Sequence, residues 1–204
     1  FLIHKMTGQA VISRCLASRT QLFDLRRDSW SEPILAYLGV HPNQLSPVLA
    51  SGSAVAPMLP ELSRSIGFSH PPMLVTGGHD QACGALGAGL VRPGLAMVST
   101  GTAEVIEVAL PSPGLNHTLY AGNISIYAHV VPGLYLAMTL NHSGGMLLRW
   151  FRDAFCESEL ARAHESGEDA YNLILEGVPA GPTGAVTITT PVSRACCWGT
   201  ARQK

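Results

Sequence analysis

Charge is scarce in this sequence. Its 204 residues hold 13 Lys and Arg against 14 Asp and Glu, a net charge of −1, and only 13% of positions are charged. Lys and Arg are scattered apart from the pair Arg26-Arg27, so there is no basic footprint for nucleic acid. Aromatic residues make up 6%. No apolar run reaches the roughly 20 residues of a membrane span, and the stretch Val130–Leu140 is broken by Pro132 and Gly133. The five cysteines, Cys15, Cys83, Cys156, Cys196 and Cys197, form no C-x-x-C pair. That speaks against a zinc site, and no metal ligands are assigned. An odd cysteine count with no secretory signal predicts reduced thiols and a cytoplasmic location. The first residue is Phe, which reads as a segment of a longer chain. G-x-G-x-x-G is absent, because the third glycine would fall on Arg92, and G-x-x-x-x-G-K fails at Leu90. Neither a dinucleotide fingerprint nor a P-loop is present.

What is there is apolar: 47% of the residues, enough for a sizeable core in one large domain or two small ones. A strand-like unit stands at Leu22–Leu25. Ser31, Glu32 and Pro33 open a helix that Gly39 ends, and a second helix over residues 60–66 ends at Gly67. An apolar strand is expected over 73–76 and a helix of small residues over 81–90. Arg92-Pro93-Gly94 marks a turn, a change of texture and a candidate domain boundary. Beyond it, strands are expected over 96–99, 104–110, 119–126 and 134–140. Ser143-Gly144-Gly145 opens an amphipathic helix through Phe155 with Met146, Leu147, Trp150, Phe151 and Ala154 on one face, and a further helix covers about 168–175. Mixed strands and helices predict an α/β or α+β chain.

The chemistry concentrates in "TGGHDQACGALGAG", residues 76–89. A lone acid, Asp80, stands where an apolar strand meets a helix N-terminus. Ligands bind at that edge in open α/β sheets, and the helix dipole favours an ionised carboxylate. Asp80 is therefore either a general base or a helix cap. Gly77-Gly78 allow a sharp turn, with positive φ if needed. Gly84, Gly87 and Gly89 leave one helix side bare, for close backbone contact or a hinge. Ser99-Thr100-Gly101-Thr102 is a hydroxyl-rich turn of the kind that offers N–H groups and hydroxyls to phosphate, or an ordinary hairpin. Asn141-His142-Ser143-Gly144-Gly145 enters a helix as an anion site or a simple cap. A carboxylate base with two phosphate cradles is the inventory of phosphoryl transfer.

Taken in order, "LASRTQLFDL", "GGHDQACGALGAGL", "STGTAEV" and "SGGMLLRWFRD" resemble the FGGY family of carbohydrate kinases, over nearly the whole chain up to about Gly184. The resemblance implies a ribonuclease-H-like, actin-like ATPase fold of two domains closing on a cleft, here incomplete. Residues 1–91 would end the sugar-binding domain and 92–204 would begin the nucleotide-binding domain, with 185–204 an atypical tail. It implies ATP with Mg2+ as cofactors and a sugar or polyol as substrate, and it leaves open a homodimer of the full-length protein. Asp80 matches the family's catalytic base, and Gln81 a residue beside it that contacts the polyol. Gly101 and Thr102 match the hairpin that holds ATP phosphates, and Gly144 and Gly145 the second phosphate contact. His79 either lines the sugar site or is structural; Glu104 is read as structural.

The family's N-terminal D-x-G-[ST] loop and its later adenine-binding region have no counterpart here. The ending "VTITTPVSRACCWGTARQK" departs from the family's continuation, as a frameshift or a mispredicted gene end would make it. The expectation is thus a kinase-fold segment that is inactive alone. The alternative is a catalytically inactive actin-like segment that binds a nucleotide or a protein partner.

Overall fold

The computed structural model describes residues 1–178 and Gly181; the atypical tail, with Cys196 and Cys197, lies outside the described residues. In chain order the elements are α1 (Leu2–Thr7), β1 (Ile12–Ser13), α2 (Arg14–Ala17), β2 (Phe23–Asp24), β3 (Ser29–Trp30), α3 (Glu32–Leu38), β4 (Val48–Leu49), β5 (Ala54–Pro57), α4 (Pro60–Ile66), β6 (Met73–Val75), α5 (Asp80–Gly87), β7 (Ala96–Thr100), β8 (Glu104–Leu110), α6 (His117–Ala121), β9 (Ser125–Ala128), β10 (Tyr135–Asn141), α7 (Gly144–Phe155), α8 (Glu157–Ser166) and α9 (Ala170–Leu175). They form two compact units. One holds Phe1–Met97 and Ile106–Thr139; the other holds Val98–Val105 and the described residues from Leu140 on. No described helix is long and apolar enough to cross a membrane.

The first unit is built on short strand pairs and a larger sheet. β1 pairs with β4 in parallel, and β2 with β3 and β5 with β6 pair antiparallel. The four-stranded sheet runs β7-β8-β10-β9, with Tyr135 opposite Ala128 and Met138 opposite Ser125. Its core gathers Ala17, Phe23, Leu25 and Ala128, with Ile12, Trp30, Val48, Ile126 and Tyr135 packed against them. Phe23 meets Trp30 edge to face at 5.7 Å, the geometry aromatic pairs prefer. α3 starts after Ser31 with a proline in its first turn and ends on left-handed Gly39, as the residue types demand. α4 ends on left-handed Gly67 in the same way.

Two expectations are corrected here. The stretch 119–126 is not one strand: Asn116 caps Leu119 N–H with its side chain and starts α6, and the strand begins only at Ser125. The cap turns a β-like run into a helical turn before the chain reaches the sheet. Asp80 does not sit at the tip of the strand either. β6 ends at Val75, four residues intervene, and Asp80 is the first residue of α5.

In the second unit, α7 is followed by α8, which the sequence reading missed, and by α9. The three helices pack together, with Leu173 buried and the Arg152 guanidinium over the Tyr171 ring at 5.1 Å. α8 escaped notice because "ESELARAHES" carries few apolar residues to mark a periodicity. Among the described residues the apolar face of α7 stays open, with Met146, Trp150, Phe151 and Phe155 all exposed.

His129 ties β9 to the end of α5. It is 4% exposed; its Nε2 donates to the Leu90 carbonyl at 2.8 Å, and its Nδ1 accepts from Val131 N–H at 3.3 Å. Both nitrogens are committed to the neutral ring. Burial lowers its proton affinity, against a smaller opposing effect of the Leu90 carbonyl. The unfolded chain takes up this proton near the ordinary value of 6.5 and the folded chain only at lower pH. Between those values the unfolded state binds more protons, so stability falls as pH drops below about 6.5. Thermal melts from pH 7.5 to 5.5 should show a falling melting temperature, with a smaller slope in His129→Gln, which keeps a donor for Leu90. Equal slopes would remove His129 as the cause.

Candidate active site

Thr76 anchors the exit from β6. It is 2% exposed; its hydroxyl donates to the Ala50 carbonyl at 2.6 Å and accepts from Ser53 N–H at 3.0 Å. The chain then passes Gly77 and Gly78, neither of which has positive φ. The requirement at Gly78 is space. A Cβ there would stand 2.2 Å from Val130 Cγ1, 3.3 Å from Cys15 Sγ and 3.4 Å from Cys83 Sγ. Gly78→Ala should therefore cost about 1–3 kcal/mol, the range for overpacking a filled site. Val130→Ala in the same chain should recover most of it, as melting in denaturant would show. No recovery would mean that the backbone, not Val130, sets the limit.

His79 follows, with its backbone N–H directed at Cys15 Sγ, 3.3 Å away. Cys15 is fully buried, and burial raises its thiol, so it stays protonated. The imidazole lies edge-on to the Tyr127 ring, 5.6 Å between centroids. Its Nδ1 makes no hydrogen bond among the described residues but stands 3.2 Å from Asp80 Oδ1, an electrostatic approach. Asp80 Oδ1 also accepts from Gln81 N–H at 2.8 Å. The N-cap of α5 is His79, which makes no side-chain capping bond. Asp80 is thus at the first helical position rather than the cap, and its carboxylate is 85% exposed. An open carboxylate at a helix N-terminus can take a proton from a bound hydroxyl. Gln81 is half-buried beside it.

Of the two uses expected for the bare side of α5, close backbone contact is not made among the described residues. Nothing among the described residues comes within 4 Å of a Cβ placed on Gly84, Gly87 or Gly89. The helix packs through Ala82 and Ala85, both fully buried, while Gly89, at φ +84°, serves the turn out of the helix.

In the second unit the two glycine-rich elements meet. The β7–β8 turn closes with Gly101 N–H on the Ala103 carbonyl at 2.8 Å, and the Thr100 hydroxyl donates to Glu104 across it at 3.3 Å. Gly145 N–H donates to the Gly101 carbonyl at 2.6 Å. A Cβ on Gly144 would come within 2.7 Å of Ala103 C, 2.8 Å of its O and 3.0 Å of Glu104 N; one on Gly145 would stand 2.7 Å from Gly101 O. Both glycines are needed for backbone to lie on backbone. The Gly145 amide is already committed to Gly101 and is not a free donor. Gly101 and Thr102 are exposed, and Ser143, the N-cap of α7, is 5% exposed with a hydroxyl unpartnered among the described residues.

Sequence reasoning missed Glu107 and Tyr127 near His79. Glu107 is fully buried; one of its oxygens accepts from the Tyr127 hydroxyl and the other has no partner among the described residues. Burial raises the Glu107 carboxyl, although Tyr127, His79 and Arg19 pull it back. Tyr127 is pushed up by burial and by its bond to Glu107. The signal was present in "VIEVA": residues 105, 107 and 109 share one strand face, and Val105 and Ala109 are core.

The N-terminal domain of the FGGY family of carbohydrate kinases matches residues 1–87. The autoinducer-2 kinase of Yersinia enterocolitica serotype O:8 is 32% identical over 201 residues, covering 97% of this chain and 37% of that protein. Its counterpart in Photorhabdus laumondii is 31% identical with the same coverage. The chain thus spans little more than a third of the length of the curated relatives it matches. Among solved structures, xylulose kinase from Lactobacillus acidophilus superposes with a TM-score of 0.73 at 19% identity, covering 88% of this chain and 34% of that one. Xylulose kinase from Rhodospirillum rubrum gives 0.71 at 23% identity, covering 87% and 35%. The fold is the α/β, actin-like ATPase fold of these sugar kinases.

Proposed function

We propose, on the premise that this chain is an FGGY-family carbohydrate kinase sequence, that it contributes the base and part of the phosphate grip to an ATP-dependent sugar or polyol kinase. The observation that carries the reading is the open Asp80 carboxylate at the start of α5, held by Gln81 N–H and flanked by His79. As the substrate hydroxyl attacks the γ-phosphorus, its proton passes to Asp80, the new O–P bond forms, the bond to the β-phosphate oxygen breaks, and ADP leaves. Gln81 and His79 would flank the sugar. Gly101, Thr102 and Gly144 would hold the phosphates, and Gly145 would keep the two phosphate elements together through Gly101. In the family's terms, the sugar-binding domain would end at residue 91 and the nucleotide-binding domain begin at 92.

Magnesium would arrive with the nucleotide. Among the described residues no group of three or more His, Cys, Asp or Glu is placed to hold a metal. Use of ATP as co-substrate would suit a cytoplasmic reaction.

The test is ATP turnover by the intact protein over a panel of ketoses, polyols and autoinducer-2, the substrate class in the relatives' names. Phosphorylation of a panel member, lost in Asp80→Asn, supports the reading. ATP binding without turnover on any of them would favour the alternative, an inactive nucleotide-binding segment.

A further inference from the structure

We propose that Glu107 and Tyr127 are positioning residues for Asp80, acting through His79; this rests on Asp80 being the base. The Asp80 carboxylate is 85% exposed and takes only a hydrogen bond from the neighbouring Gln81 amide. Nothing in its own turn of helix restrains its rotation strongly. Its fixed neighbour is His79, whose Nδ1 stands 3.2 Å from Asp80 Oδ1. His79 is held twice, by its backbone N–H on Cys15 Sγ at 3.3 Å and by its ring against Tyr127 at 5.6 Å.

Tyr127 is in turn immobilised. It is fully buried, its hydroxyl donates to Glu107, and the Arg19 guanidinium lies 4.7 Å from its ring centre. A carboxyl in a strand core is costly, and an apolar residue of similar size would fill the same space more cheaply. Glu107 keeps that cost and leaves one oxygen unpartnered among the described residues, which a packing role does not require. The groups that face it are Tyr127, His79, Arg19 and, further out, Asp80 and Cys15. The line Glu107–Tyr127–His79–Asp80 thus runs from the sheet core to the exposed base. A base must stay within hydrogen-bond reach of its proton, and a shift of about 1 Å can cost 10²-fold in rate.

The experiment uses the full-length kinase and steady-state kinetics against pH. Tyr127→Phe keeps the ring and loses the bond to Glu107. Glu107→Leu loses the acceptor, and Glu107→Gln keeps one. Tyr127→Phe and Glu107→Leu should lower kcat about 10-fold or more, with the KM for ATP within about twofold and the acid limb of kcat displaced. Glu107→Gln should recover most of the rate. If Glu107→Leu fails to fold, His79→Phe, which keeps an aromatic edge on Tyr127 but lacks Nδ1, carries the test and should show the same loss. Wild-type kcat and an unmoved acid limb in Tyr127→Phe and in His79→Phe, with only the melting temperature lowered, would overturn the inference and leave Asp80 as base untouched. Full turnover in Asp80→Asn would remove the base itself, and the positioning role with it.

Discussion

Asp80→Asn in the intact protein should lower kcat by about 10²-fold or more, the scale of a lost general base. Asn keeps the oxygen that accepts from Gln81 N–H at 2.8 Å and has nearly the same shape. It cannot take a proton at neutral pH. Because Asp80 occupies the first helical position and not the cap, the substitution removes no capping bond. What α5 loses is the charge–dipole attraction at an exposed site, about 0.3–1 kcal/mol. Nucleotide affinity should stay within about twofold, because the proposed phosphate contacts belong to Gly101, Thr102 and Gly144. Kinetics and ATP titration on one preparation decide the matter. Normal turnover would reduce Asp80 to a helix-start residue, whereas loss of ATP binding together with rate would point to misfolding and not to chemistry.

Gly144→Ala should weaken ATP binding about 10- to 100-fold. The added Cβ would lie 2.7–3.0 Å from Ala103 C, Ala103 O and Glu104 N. All three are backbone atoms of a tight turn that cannot swing aside as a long side chain would. α7 must then back away, and the Gly145 N–H···O=C Gly101 bond of 2.6 Å is lost with it. Overpacking costs about 1–3 kcal/mol, and each 1.4 kcal/mol is a factor of ten in affinity. Isothermal titration with ATP measures the effect, and circular dichroism checks that α7 survives. Unchanged affinity in a folded variant would separate the two glycine elements from the nucleotide.

How far these sites could be read from sequence differs element by element. The helix around 60–66 was legible because Pro, Glu and Gly stand at its ends, and those signals act within one turn of chain. The position of Asp80 at a helix start was legible for the same reason: the apolar run of β6, then glycines, then small helix formers. Its distance from the strand was not, because Thr76 secures the exit through Ala50 and Ser53, residues more than 20 positions away. The glycines were legible as special but not in their roles. Gly77 and Gly78 suggested positive φ, yet Gly78 is demanded by Val130, Cys15 and Cys83, a crowd that no local pattern announces.

By itself, the sequence determined the elements set by local chemistry: the caps, the turns, the alternation of β8 and the order of motifs that resembles the FGGY family of carbohydrate kinases. The tertiary structure alone decided which distant groups meet. It laid Gly145 on Gly101, buried Glu107 against Tyr127, and set His79 between Tyr127 and Asp80. The physical reason is range. Caps and turns are hydrogen bonds closed within a few residues, whereas backbone-on-backbone contact and a buried carboxyl depend on chain segments tens of residues apart being packed into one place.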